Sequence, residues 1–207
     1  MNTRTAVVAT GLFTSLALVL AAAAHPQAKG GPDPSGGYEV DPVHSSVLFK
    51  VRHLNTSWTF GRFDKIGGNL TLNAASPEKS SVTMTIAAES IDTGTKQRDD
   101  HLRSSSFLDA AQFPDITFTS KSVKKSGEGK YSVEGDLALH GVKKPLTAEL
   151  EQVGYSDTPK TGVRTGFLTT FTVKRSDFGM NFMPEAVGDE VHMTVSVEAA
   201  QTEAKKK

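Results

Sequence analysis

Cysteine is absent from the sequence. Disulfides, thiolate metal sites, a cysteine nucleophile and a lipidated N-terminal cysteine are therefore excluded, and the fold must rest on packing and hydrogen bonds. A surplus of either charge is missing too, with 23 Lys and Arg against 23 Asp and Glu. Nucleic-acid binders draw most of their affinity from neutralising phosphates, so a balanced chain does not fit that class. Catalytic signatures are also lacking. No Gly-x-Ser-x-Gly elbow, P-loop or Gly-x-Gly-x-x-Gly loop occurs, and Asp99 and Asp100 are adjacent, so their side chains diverge on a helix. No catalytic residue is assigned, and the chain reads as a non-enzyme. Metal-binding His-x-His or His-x-x-x-His spacings are absent, and His44 and His53 fall on opposite faces of a regular strand. No metal or cofactor is expected.

What is present begins with a secretory signal pattern over residues 1–24: Arg4, then the apolar run Ala6 to Leu20, then Ala22-Ala23-Ala24 before His25. The run is short for a bilayer span of about 20 residues and lacks a basic stop, so no stable membrane anchor is expected. A periplasmic or secreted protein follows. Residues 25–37 are rich in Pro and Gly and read as a flexible leader, residues 38–200 as one domain, and residues 201–207 as a disordered tail.

Within the domain, apolar and polar residues alternate with period two. Val47, Phe49 and Val51 stand against Lys50 and Arg52, and a short strand covers Trp58 to Asp64. Val82, Met84, Ile86 and Ala88 stand against Thr83, Thr85 and Glu89, and later runs carry Phe118, Leu137, Leu139, Phe167, Phe171 and Val173. About eight or nine closely spaced strands predict an all-β sandwich or a closed barrel. A barrel of about eight strands has room for packed side chains or one small ligand, and periodicity alone does not choose between them. The pattern breaks once. Residues 94–110 read as a short helical insertion with Lys96, Arg98, Asp99, Asp100, His101 and Arg103, an apolar plug at Phe107-Leu108, and a stop at Phe113-Pro114. That segment reads as a lid on one barrel end.

Several motifs occur in a recognisable order. Asp41-Pro42-Val43-His44-Ser45-Ser46-Val47 resembles the opening signature of the YceI-like family. Arg98-Asp99-Asp100-His101-Leu102, Phe113-Pro114-Asp115-Ile116-Thr117-Phe118, Gly135-Asp136-Leu137 and Arg175-Ser176-Asp177-Phe178-Gly179-Met180 are similar to its later motifs. Lys143 departs from the family's usual threonine, in a turn. The likeness spans Tyr38 to about Ala199. It implies an antiparallel lipocalin-like β-barrel, exported in bacteria, that holds a polyisoprenoid or similar long-chain amphiphile for transport, storage or stress protection.

An apolar chain needs only apolar surface around it, and parity assigns that lining to Phe49, Val51, Phe60, Val82, Met84, Ile86, Phe118, Leu137, Leu139, Phe167, Phe171 and Val173. A polar head would need donors at the mouth, and His53, Arg98, His101 and Arg103 are the candidates. Arg98 could instead pair locally with Asp99, Asp100 or Asp109. The alternative function is a structural or stress-response envelope protein with a filled core, acting through a protein partner that docks on the helix. Exposed strands permit a homodimer.

Overall fold

A computed structural model of the chain describes residues 34–202. The signal pattern, most of the leader and most of the tail lie outside these residues. The alternating stretches form strands β1 (Gly36–Val40), β2 (Ser46–His53), β3 (Ser57–Phe63), β4 (Ile66–Leu72), β5 (Ser81–Ala87) and β6 (Ile91–Asp92). After helix α1 (Lys96–Arg103) come β7 (Asp115–Gly127), β8 (Lys130–Leu139), β9 (Val142–Thr158), β10 (Gly162–Lys174) and β11 (Val187–Gln201).

Neighbours run β1-β4-β5-β7-β8-β9-β10-β11, all antiparallel, and β1 pairs back onto β11 to close the ring. β11 pairs with β1 through Ala199–Gln201 and with β2 through Val187–Ser196, so β1 and β2 are two halves of one broken strand. The same holds next door. β4 pairs with β5, while β3 pairs with β6 through Phe63↔Ile91. The result is a closed eight-stranded antiparallel barrel with one helix, in which three neighbouring strands are interrupted.

Tight turns fit their residues. Leu139↔Val142 is closed by His140-Gly141, both with positive φ (52 and 74), the geometry that matches strand twist in a two-residue hairpin. β1 starts earlier than the leader reading allows. Gly36 and Gly37 pair with Leu72 and Thr71, and a Cβ at Gly36 would meet Gln201 Nε2 at 2.6 Å, so the glycine admits the Gln201 amide that donates to Ser35 O. The insertion is also shorter in helix than its expected span of 94–110. The Ser104 hydroxyl donates to His101 O at 2.7 Å, a local bond that competes with further helix, and residues 104–112 continue as turns.

Candidate functional site

Strand parity decides what faces the interior. On β10 the row Phe167, Thr169, Phe171, Val173 points inward, and Arg175 continues it one step beyond the strand. The interior is hollow. One lobe of ≈ 100 Å³ lies among Val82, Met84, Phe118, Leu146 and Phe167. A second of ≈ 150 Å³ lies among Phe49, Val51, Val173 and Met193 and is roofed by Leu102, Phe107 and Leu108 from the insertion. Both lobes touch Ile86, Ile116, Leu137, Phe171 and Val195, so they adjoin and share these five side chains as a common wall. Apart from Thr117, Thr169 and Arg175, every lining residue is apolar. A void of this kind stays dry and admits an apolar guest.

Of the residues assigned inward, Val82, Met84, Phe118 and Phe167 line the first lobe and Phe49, Val51, Leu139 and Val173 the second. Ile86, Leu137 and Phe171 line both. Phe60 does not belong with them. It is 65% exposed and pairs with the outward-facing Lys50, whereas inward Phe49 pairs with Gly61. The inward side of β3 is therefore the one that holds Gly61 and buried Phe63, not Trp58 and Phe60.

Three of the four mouth candidates, Arg98, His101 and Arg103, hold the lid through protein partners. Arg103 donates through Nε to Glu89 O and through Nη2 to Ile91 O, both at 2.6 Å, which ties α1 to the wall beside β6. Arg98 donates to Thr93 Oγ1 and Thr93 O at 2.6 Å each, in place of the carboxylates Asp99, Asp100 or Asp109. Buried Asp99 accepts from the Thr93 amide and hydroxyl. His101 stacks edge-on against Phe107 (5.1 Å) and Phe182 (5.4 Å), joining the lid to the loop before β11. His53 is exposed at the end of β2 and lines neither lobe. The motif Arg-Asp-x-His-Leu thus works here as a lid anchor.

Two polar residues of the cavity wall were not among the candidate site residues. Thr169 Oγ1 is buried without a hydrogen-bond partner, a state that costs free energy until an acceptor or donor reaches it. Arg175 is 5% exposed in the wall of the larger lobe. Extending the β10 row by one step of two residues is the signal that finds it.

Near the break between β1 and β2, Asp41, His44 and Glu198 place possible metal-ligand atoms within 4.8 Å of one another. Arg164 Nη1 already contacts Asp41 Oδ2 at 2.7 Å and Glu198 Oε1 at 2.6 Å, so the carboxylates have a cation. Hydrogen bonds from Arg164 and then His44 hold the Asp41 carboxyl well below its ordinary range. Asp41, through its hydrogen bond and then its charge, raises the His44 imidazole above 6.5. A raised histidine adds stability that is fully present below 6.5 and is lost as pH rises through its folded value. A depressed Asp41 adds stability present above 3.8 and lost on acidification. His44→Asn is accordingly expected to flatten the fall in melting temperature on going from mildly acidic to alkaline buffer. The change is small because the pair is solvated, and an unchanged pH profile would remove His44 from the cluster's titration.

The profile of the YceI-like domain matches residues 38–199. Protein YceI of Salmonella newport (strain SL254) is 39% identical over 166 residues, covering 79% of this chain and 86% of that protein, and Protein YceI of Escherichia coli O157:H7 gives the same figures. Among solved structures, Burkholderia cenocepacia BcnA superposes with a TM-score of 0.71 at 25% identity, covering 78% of this chain and 99% of BcnA. A polyisoprenoid binding domain from Saccharophagus degradans superposes at 0.65 with 18% identity, covering 80% of this chain and 98% of that domain, which shows a shared fold. With its closed barrel, its helical lid and a domain match over most of its length, the chain belongs to the YceI-like family.

Proposed function

We propose that the protein is an exported lipid-binding barrel whose interior holds a polyisoprenoid or similar long-chain amphiphile, for transport, storage or protection. The observation that carries this reading is the pair of adjoining apolar lobes that lie in line from the lid past Phe171 to Phe118. Each buried CH₂ of a guest contributes about 0.8 kcal/mol before ordering costs, so a long chain accumulates several kcal/mol without a single polar contact. The polyisoprenoid binding named for the Saccharophagus degradans domain supports the ligand class. Export to the periplasm or medium is supported by the pattern Arg4, Ala6 to Leu20, Ala22-Ala23-Ala24. Among the described residues no helix is long and apolar enough to cross a membrane. Binding rather than catalysis suits a wall of aliphatic and aromatic side chains.

Protein purified from its native host and extracted with organic solvent is expected to release a long-chain lipid, detected by mass spectrometry at near-stoichiometric yield. A bare extract from folded protein that also fails to take up a prenyl alcohol would count against the carrier.

A further inference from the structure

The lid end of the barrel leaves large apolar side chains in solvent. Leu54, in the turn between β2 and β3, is 56% exposed, and Phe182 and Met183, in the loop before β11, are 42% and 44% exposed. The Leu54 amide donates to Ala186 O at 2.8 Å and the Ala186 amide to Met183 O at 3.1 Å, so turn and loop form one tip. The backbone there is set for display. Leu54 (φ 49) and Asn55 (φ 54) form the centre of a turn closed by the Thr56 amide on His53 O, and Met183 has φ 51. Gly, Asn or Asp take up left-handed backbone at less cost than leucine or methionine, and neither residue offsets that cost by burial. Arg175 holds the loop from below through Met180 O, Phe182 O, Val187 O and Gly188 O.

Cations surround the tip. On the outer face of β2, Lys50 Nζ and Arg52 Cζ lie 4.7 and 4.4 Å from the ring centre of Trp58 on β3. Among the described residues neither pairs with a carboxylate, and Arg98 on the lid donates to threonine oxygens. Glu185 is the one acidic residue between Met180 and Val187, Asp189 beyond it is engaged by Ser176, and Glu190 stands opposite Lys174. An apolar tip behind which an indole and long cationic side chains sit is the composition of a surface that enters a membrane interface. Leu54, Phe182 and Met183 line none of the cavities. Projecting side chains enter a fluid interface without the matching sockets that a protein partner would have to supply. Phe182 also leans on the lid, 5.4 Å from His101 and 5.5 Å from Phe107, which lines the larger lobe.

We propose that the lid end docks reversibly on an anionic lipid bilayer, with Leu54, Phe182 and Met183 entering the headgroup region and Lys50, Arg52 and Arg98 facing lipid phosphates. The docking surface stands on these exposed groups. Its purpose, to set the lid against the source or destination of a lipid, rests on the carrier reading above.

The barrel closes within residues 36–201, so the test uses residues 25–207, in which the apolar run Ala6 to Leu20 adds no membrane affinity of its own. Vesicles of phosphatidylglycerol with phosphatidylethanolamine are compared with phosphatidylcholine alone, by co-sedimentation and by the emission of Trp58, the single tryptophan. The anionic vesicles are expected to bind about tenfold or more tighter and to shift that emission to the blue. Leu54→Asn combined with Met183→Asn should weaken binding about tenfold while melting at or above wild type, because asparagine accepts the left-handed backbone. Arg52→Gln should weaken binding to the anionic vesicles about fivefold and leave phosphatidylcholine unaffected. Wild type that ignores both vesicles overturns the proposal, as does equal binding by wild type and the double asparagine variant. Sedimentation without a blue shift assigns the contact to the basic tail Lys205–Lys207 and overturns it too. So does self-association, or capture of a protein partner, that depends on Leu54 and Met183 while vesicles stay bare. Solvent extraction is read separately. Docking without extractable lipid sinks the carrier alone, and lipid without docking sinks this surface alone.

Discussion

Replacing Phe171 with aspartate is expected to abolish lipid loading. Phe171 lines both lobes and sits at their junction, opposite Met193 on β11. A carboxylate there faces apolar side chains, where an unpaired charge costs several kcal/mol, and the group responds by taking up a proton or drawing in water. Either outcome puts a polar group or water in the wall common to both lobes, where a chain-like guest needs apolar surface. The comparison that makes the result informative is Thr170→Asp, one residue away on the opposite, exposed face of β10. Thr170→Asp should load normally and melt near wild type, whereas Phe171→Asp should melt lower and yield no lipid by mass spectrometry. Equal loading of the two variants would mean that the inward face of β10 has been misassigned.

Gly61→Val is expected to give the second large effect, on stability and volume together. A Cβ at Gly61 would lie 2.3 Å from Phe49 Cζ, 2.7 Å from Phe49 Cε1 and 2.9 Å from Thr93 Cγ2. The absent side chain leaves the space that the outer edge of the Phe49 ring occupies beside Gly61. Restoring a side chain pushes that ring inward, and such overpacking costs roughly 1–3 kcal/mol. For a domain of this size the melting temperature should fall by about 2–12 °C. Ligand affinity should fall as well, because the displaced ring enters the guest's space. A variant that melts and loads like wild type would show that Phe49 has room elsewhere.

Period-two alternation was enough to place most of the wall. Val82, Met84 and Ile86, and likewise Phe167, Phe171 and Val173, carry their parity in plain view, because their strands are apolar on one side only. β3 misleads for a physical reason. Its outward residues Trp58 and Phe60 are aromatic, while the inward side carries Gly61 and then Phe63, so aromatic residues stand on both faces and do not mark the inner one. Trp58 is made tolerable outside by Lys50 Nζ and Arg52 Cζ, at 4.7 and 4.4 Å from its ring centre. What the head-group candidates do was hidden for another reason. Arg98 and Arg103 find carbonyl and hydroxyl partners on Thr93, Glu89 and Ile91. Backbone oxygens leave no trace in a residue pattern, so a cationic helix looks the same whether it anchors a lid or grips an anion. Arg175 stands in a quoted motif, but its burial and its four loop carbonyl partners leave no mark there for the same reason. The hollow itself was not legible, since the same alternation describes a filled barrel.

The interruptions in three adjoining strands have a consequence for how this chain tolerates length changes. A one-residue slip in an uninterrupted strand turns every later side chain to the opposite face. Here the irregular segments 41–45, 64–65 and 88–90 separate the β1–β4–β5 pairings from the β2–β3–β6 pairings. Extra residues at an exposed point such as Val43, which is 82% accessible, can be absorbed as a longer loop, with both blocks keeping their own alignment. The wall is in effect indexed twice, and drift in one half does not spread to the other.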